Sequence, residues 1–159
     1  MAEWKQPFPN KMLADKFGEW PEARKKMGLG PHRGTDWNGM KKGAPLPAVH
    51  AGTISANYWS DVLGWVVELK VPVLWGKDQV KKDAFFMYCH LDKQSPLKVG
   101  SKVALGDSVG GAGTSGSASS GIHLHFTLSL TSKGGAIGKV FDAHAYINRR
   151  LKEEAVSNV

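Results

Sequence analysis

Six histidines occur in this chain, and four fall in patterns that ordinary packing does not explain. In GIHLHF (residues 121–126), His123 and His125 stand two positions apart. On an extended strand such residues project from one face, leaving Leu124 and Phe126 on the other. Thr127 and Ser129 continue the imidazole side, so this face lines a surface or a groove. In HRGTDW (residues 32–37), His32 and Asp36 are four apart within a glycine- and proline-rich stretch that reads as a loop. There an imidazole and a carboxylate can converge on one cation, although the pair alone would read as a surface ion pair. The third block, YCHL (residues 88–91), ends an aromatic run. Strand alternation predicts that Tyr88 and His90 share one face and that Cys89 takes the other.

Together these blocks offer imidazole and carboxylate donors for a metal, with further imidazoles beside them. A hydrolytic zinc centre uses three nitrogen or oxygen donors and keeps one position open. The ion lowers the pKa of water toward 7, and neighbouring imidazoles can accept or deliver protons. Spacing does not decide which of His123 and His125 is the donor. Cys89 lies next to His90, but opposite faces exclude a nucleophilic dyad, and the thiol reads as a small buried hydrophobe. His50 and His144 read as structural or solvated.

The elements that must position these groups are short. Trp65, Val67, Leu69 and Val71 alternate with Val66, Glu68 and Lys70, the pattern of a half-buried strand with Trp65 in the core. Residues 84–91 (AFFMYCHL) and 121–130 read as further strands, the latter with Leu124, Phe126, Leu128 and Leu130 on one face. LKVGSKVALGDSVG (residues 97–110) reads as tight β connections between glycines, and residues 72–83 (PVLWGKDQVKKD) as a charged inserted loop. A short helix is predicted after Asn10 (MLADKF), and a longer one capped by Asp142. In GGAGTSGSASSG (residues 110–121) nine of twelve positions are glycine or serine. It sits between two strands and lacks the lysine of a phosphate loop, so it reads as a close-packed loop beside a site. The predicted fold is mainly β: an antiparallel sandwich or barrel-like core with a long groove, few short helices and a C-terminal helix.

With 159 residues the chain fits one domain, and its 42% hydrophobic content can form one sizeable core. One cysteine excludes a disulfide framework and cysteine-rich zinc sites. No apolar run approaches the roughly 20 residues that span a bilayer, and the N-terminal residues do not read as a secretory signal. The expectation is therefore a protein made in the cytoplasm. The net charge of +7 favours polyanionic partners and could hold the chain on an anionic polymer.

HRGTDW, YCHL and GIHLHF together resemble the signature blocks of the lysostaphin-type, or LytM-type, zinc metallopeptidases, which cut peptide stems or cross-bridges of bacterial peptidoglycan. GAPLPAVHAGTI (43–54) resembles the family's strand after the first block, LKVGSKVALGDSVG its hairpin, and FDAHAYI (141–147) its closing segment. The resemblance covers residues 28–147, with residues 1–27 as an N-terminal extension and residues 148–159 as helix end and tail. It implies that His32, Asp36 and His125 bind one zinc ion and that His90 and His123 are catalytic. It also implies an antiparallel β core with the site in a narrow groove. Thr127 follows HLHF where the family often has an acidic or other polar residue, which implies altered substrate contacts there. The expected enzyme is a monomeric zinc endopeptidase acting on peptidoglycan, with neither nucleic-acid nor membrane partners. A compact catalytic domain suggests a bacteriophage endolysin that reaches the wall through a separate permeabilising protein. The alternatives are an inactive peptidoglycan-binding or enzyme-activating module of the same fold and, less favoured, a basic nucleic-acid-binding protein.

Overall fold

Valine, isoleucine and aromatic residues at alternate positions pay little conformational penalty in extended backbone, and they build the frame of this molecule. In the computed structural model, which describes residues 3–157, eight strands form two antiparallel sheets. They are β1 (Thr35–Asn38), β2 (Pro45–Pro47), β3 (Gly52–Ser60), β4 (Gly64–Trp75), β5 (Val80–Leu91), β6 (Lys102–Val103), β7 (Ser108–Gly111) and β8 (His123–Ser129). The main sheet has the order β1-β8-β5-β4-β3-β6, and β2 pairs with β7 in a small second sheet. Helices α1 (Glu22–Lys26) and α2 (Gly134–Ile137) are single turns, and α3 (Ala143–Ser157) closes the chain. Asp142 Oδ1 accepts the Ala145 N–H at 3.0 Å, the predicted cap of α3. Among the described residues no helix is long and apolar enough to cross a membrane.

The principal core lies on the face of the main sheet that carries Phe86, Tyr88, Leu124, Phe126 and Leu128. Leu46 and Val109 of the small sheet and Tyr146 and Ile147 of α3 cover it. Phe86 and Phe126 stack at 5.6 Å between centroids, and the N-terminal extension adds Trp4, set edge-on to Phe86. The opposite face buries Val66, Met87 and Cys89 beneath Tyr58, Leu63 and Ala136. Leu130, expected on the core face, falls just beyond β8 and is half-buried.

Five local expectations need correction. Residues 72–83 are not a loop: β4 and β5 stay paired from Pro72↔Asp83 to Trp75↔Val80. The charges there decorate an extended hairpin whose inward residue Trp75 stacks on Tyr146 at 5.2 Å. The helix after Asn10 shrinks to one 3-10 turn, Asn10–Met12. Beyond it the backbone pairs with the free edge of β1, through Ala14 N–H to Asp36 O and Asp36 N–H to Asp15 O, both 2.8 Å. The segment 97–110 is not a hairpin, because β6 pairs with β3 and β7 with β2. Trp65 sits half-buried at the core margin, edge-on to Trp59 at 5.2 Å. Glu68, on the predicted polar face of β4, is fully buried because the turn into α2 covers that face.

Candidate metal centre

β1 and β8 pair with Asp36 opposite His125 and Asn38 opposite His123. This register makes the His125 imidazole the cross-strand neighbour of the Asp36 carboxylate. His125 Nδ1 lies 2.8 Å from Asp36 Oδ1, and His32 Nε2 lies 3.3 Å from the same oxygen. His32 reaches this point from the loop ahead of β1, which crosses β8 at Gly34. A β-carbon at Gly34 would stand 2.7 Å from Phe126 O and 2.8 Å from His125 Cε1, so only glycine permits the crossing. One donor atom from each of His32, Asp36 and His125 lies within 4.8 Å of the other two. Metal–ligand bonds of about 2.0–2.1 Å imply tetrahedral edges of about 3.3–3.4 Å. The His32 contact at 3.3 Å matches that edge, and the His125 contact at 2.8 Å is a hydrogen bond that an ion would replace. Two nitrogens with one carboxylate oxygen are a donor set that zinc accepts. The residues fit a zinc ion.

Backbone carbonyls set the tautomers around the cluster, since a carbonyl can only accept and the ring nitrogen facing it must donate. His32 Nδ1–H donates to Lys16 O at 3.1 Å, leaving Nε2 toward Asp36. His90 Nδ1–H donates to Ser115 O at 2.7 Å, and His123 Nδ1–H to Gly121 O at 2.8 Å. Both therefore keep Nε2 for other partners. The two rings lie 4.7 Å apart, and His90 is 6.1 Å from His125.

Burial opposes charge on Asp36, yet the hydrogen bonds from His125 and His32 hold its carboxyl well below the usual range. Burial also works against protonating His32, but its hydrogen bond with Asp36 keeps that imidazole above its ordinary value. At His90 burial dominates and lowers the pKa to about 4, against the pull of the Ser115 carbonyl. His90 is thus neutral at pH 7.

His90 does not share a face with Tyr88. Between the pairs Trp65↔Leu91 and Val67↔Tyr88, β5 carries one residue more than β4, a β-bulge. His90 takes φ +61 within it, so its ring joins His123 while Tyr88 stays in the core, its hydroxyl donating to Pro47 O. The bulge thus brings His90 to the side of the sheet that carries Cys89, so opposite faces do not separate the two. Burial does, because Cys89 is fully enclosed with Val66 and Met87, as expected of a small hydrophobe, and that burial pushes its thiol up. The glycine- and serine-rich loop packs closely, as expected. Ser115 Oγ donates to Leu91 O and accepts Trp65 N–H, and Gly116 (φ +88) lies against the Gly64 backbone. Sequence reasoning missed Ser115, Lys16 and Glu68, because two act through backbone carbonyls and one through a buried network, none of which leaves a side-chain motif.

The cluster opens into a groove of about 740 Å³, lined by His32, His90 and His125 together with Ser117, Val62 and Ile137. Thr127 makes no contact with it, because the side chain is fully buried beneath Gly135 of α2. The other histidines stand apart: His50 packs on Trp4 at 4.4 Å and His144 on Trp37 at 5.6 Å.

This chain belongs to Peptidase family M23, whose sequence model matches residues 30–137. No curated protein matches it significantly. Among solved structures it is similar to the antimicrobial peptidase lysostaphin from Staphylococcus simulans, at 25% identity and a TM-score of 0.68. That match covers 93% of this chain and 54% of lysostaphin, so the chain spans about half of that protein's length. Against the lysostaphin catalytic domain alone the identity is 27% and the TM-score 0.66, covering 86% of this chain and 91% of the domain. The catalytic domain of the prophage-encoded M23 protein EnpA from Enterococcus faecalis matches at 28% identity and a TM-score of 0.62, covering 82% and 87%. A zinc-containing peptidase from Vibrio cholerae shares the fold, at 24% identity and a TM-score of 0.61, covering 82% of this chain and 35% of that one.

Proposed function

We propose that this chain is a zinc-dependent endopeptidase that hydrolyses peptide stems or cross-links of bacterial peptidoglycan. One observation carries the reading: a three-donor cluster stands beside two carbonyl-anchored imidazoles, and His32, His125 and His90 of that group line an open groove. His32, Asp36 and His125 would hold the ion, which when bound supplies Lewis acidity toward a carbonyl oxygen and lowers the pKa of water. His90 and His123 handle protons. Each has its Nδ1 proton tied to a backbone carbonyl, so Nε2 alone can accept a proton and pass it on. The neutrality of His90 at pH 7 suits it to accept. An imidazole protonated at Nε2 can then steady a developing oxyanion or protonate the departing amine.

The antimicrobial peptidase and the zinc-containing peptidase among the similar structures support this chemistry, and the prophage-encoded one supports a lytic role of phage type. On this reading the chain works as a monomer on the wall, reaching it after a separate protein permeabilises the membrane. The test is digestion of purified peptidoglycan with and without chelator, followed by mass analysis of the fragments. New amino termini that vanish with chelator are expected. New reducing sugar ends, or no cleavage, would overturn the proposal.

A further inference from the structure

The N-terminal extension supplies a wall of the groove from residues that lie outside the family match of 30–137. Arg24 and Met27 of the extension, and Leu29 just after it, face the groove from α1 and the turn that follows it. This turn is pinned on itself. Trp20 Nε1–H donates to Leu29 O at 2.7 Å, Leu29 N–H to Arg24 O at 3.0 Å, and Gly28 N–H to Lys25 O at 3.0 Å. Arg24 is half-buried, and its Nε–H donates to Gly30 O at 3.0 Å, which aims the guanidinium. Among the described residues no carboxylate pairs with it, and the nearby Glu22 is taken by Lys25 at 3.5 Å.

The second guanidinium of the groove is already committed. Arg33 donates to Gly138 O at 2.7 Å and Gly134 O at 3.3 Å, bracing α2. The groove lining holds two arginines and three imidazoles and no aspartate or glutamate. A cation held by a backbone carbonyl but with no carboxylate partner, in a groove whose lining has no acidic side chain, is complementary to an anionic group on the ligand.

We propose that Arg24 binds a carboxylate on the substrate near the cut bond, so that this chain selects acidic wall peptides over oligoglycine. The proposal rests on the endopeptidase reading and adds the substrate class. Oligoglycine has no side-chain carboxylate to offer, whereas a planar guanidinium can take a carboxylate through two parallel hydrogen bonds. A charge-assisted contact at a half-exposed site is worth about tenfold in affinity.

The test is fluorescence polarisation with three labelled probes: a wall stem peptide with free carboxylates, the same peptide as carboxamides, and pentaglycine. The His123→Ala background is used to stop turnover during the titration. The free-carboxylate peptide should bind about tenfold tighter than the other two. Arg24→Gln should erase that preference without weakening carboxamide binding, and Arg24→Lys should recover part of it. Equal affinities in the parent, a preference that survives in Arg24→Gln, or binding of none of the probes would each overturn the proposal. The parent comparison needs no Arg24 variant, so misfolding of one cannot blunt it. Digestion of whole peptidoglycan separates the two readings: cleavage without a carboxylate preference removes the role of Arg24 alone, whereas no cleavage removes the endopeptidase.

Discussion

Glu68 is a carboxylate with no exposed surface, in the middle of the main sheet. Its Oε1 accepts from Ser55 Oγ at 2.9 Å and Ser132 Oγ at 2.8 Å, and its Oε2 accepts Lys133 N–H at 2.6 Å. These contacts fasten the turn ahead of α2, and α2 supplies Gly135, Ala136 and Ile137 to the groove. Glu68→Ala strips three donors of their acceptor and leaves a hole. Ser55 keeps the Glu68 backbone carbonyl at 3.3 Å, but the unsatisfied Ser132 hydroxyl and Lys133 N–H together with the cavity cost about 3–5 kcal/mol. For a chain of this size that is a fall of about 6–20 °C in Tm. Glu68→Gln keeps the volume but turns an N–H toward either a hydroxyl or the Lys133 N–H, for a loss of about 1–3 kcal/mol. Thermal unfolding followed by circular dichroism measures both. Hydrolysis of a soluble peptide should show KM rising more than kcat falls, because the groove wall loosens while His90, His123 and the metal donors keep their own anchors. A Glu68→Ala protein melting within about 2 °C of the parent would refute the reasoning.

Other outcomes follow from the site. His125→Ala and Asp36→Ala should lose bound zinc, whereas His123→Ala should keep it and lose hydrolysis; normal metal content in either donor variant, by elemental analysis, would sink the assignment. Gly34→Ala pushes a β-carbon into Phe126 O and the His125 ring, so metal affinity should fall at least tenfold, and unchanged affinity in a competition titration would contradict that geometry. Thiol reagents should leave the native protein unmodified and active, because Cys89 is fully buried; rapid labelling without denaturant would show otherwise. Wall binding in a pull-down should weaken as salt rises if the net charge of +7 holds the protein there.

The amino-acid sequence determined the elements of this protein and the inventory of its site. Period-two alternation made residues 123–129 a strand with leucine and phenylalanine inward and imidazoles outward, because side chains on extended backbone must alternate. The composition of residues 110–121 specified a loop able to pack against backbone. Where alternation was the whole argument it also misled. A single extra residue in β5 carried His90 to the face opposite the one expected, and a bulge of that kind has no signature in side-chain pattern. The charged run at residues 81–83 hid a paired hairpin, since a strand extending beyond the core can be charged and still keep its ladder.

Only the tertiary structure decided which of His123 and His125 meets Asp36, because that depends on how β1 registers against β8, two strands far apart in sequence. It also decided that Lys16 and Ser115 orient imidazoles, since every residue carries a carbonyl and only the fold says which one faces a ring. The N-terminal extension became part of the site in the same way, when edge pairing with β1 laid it beside His32. Chemistry was legible because it resides in side-chain types; partnership was not, because it resides in distance.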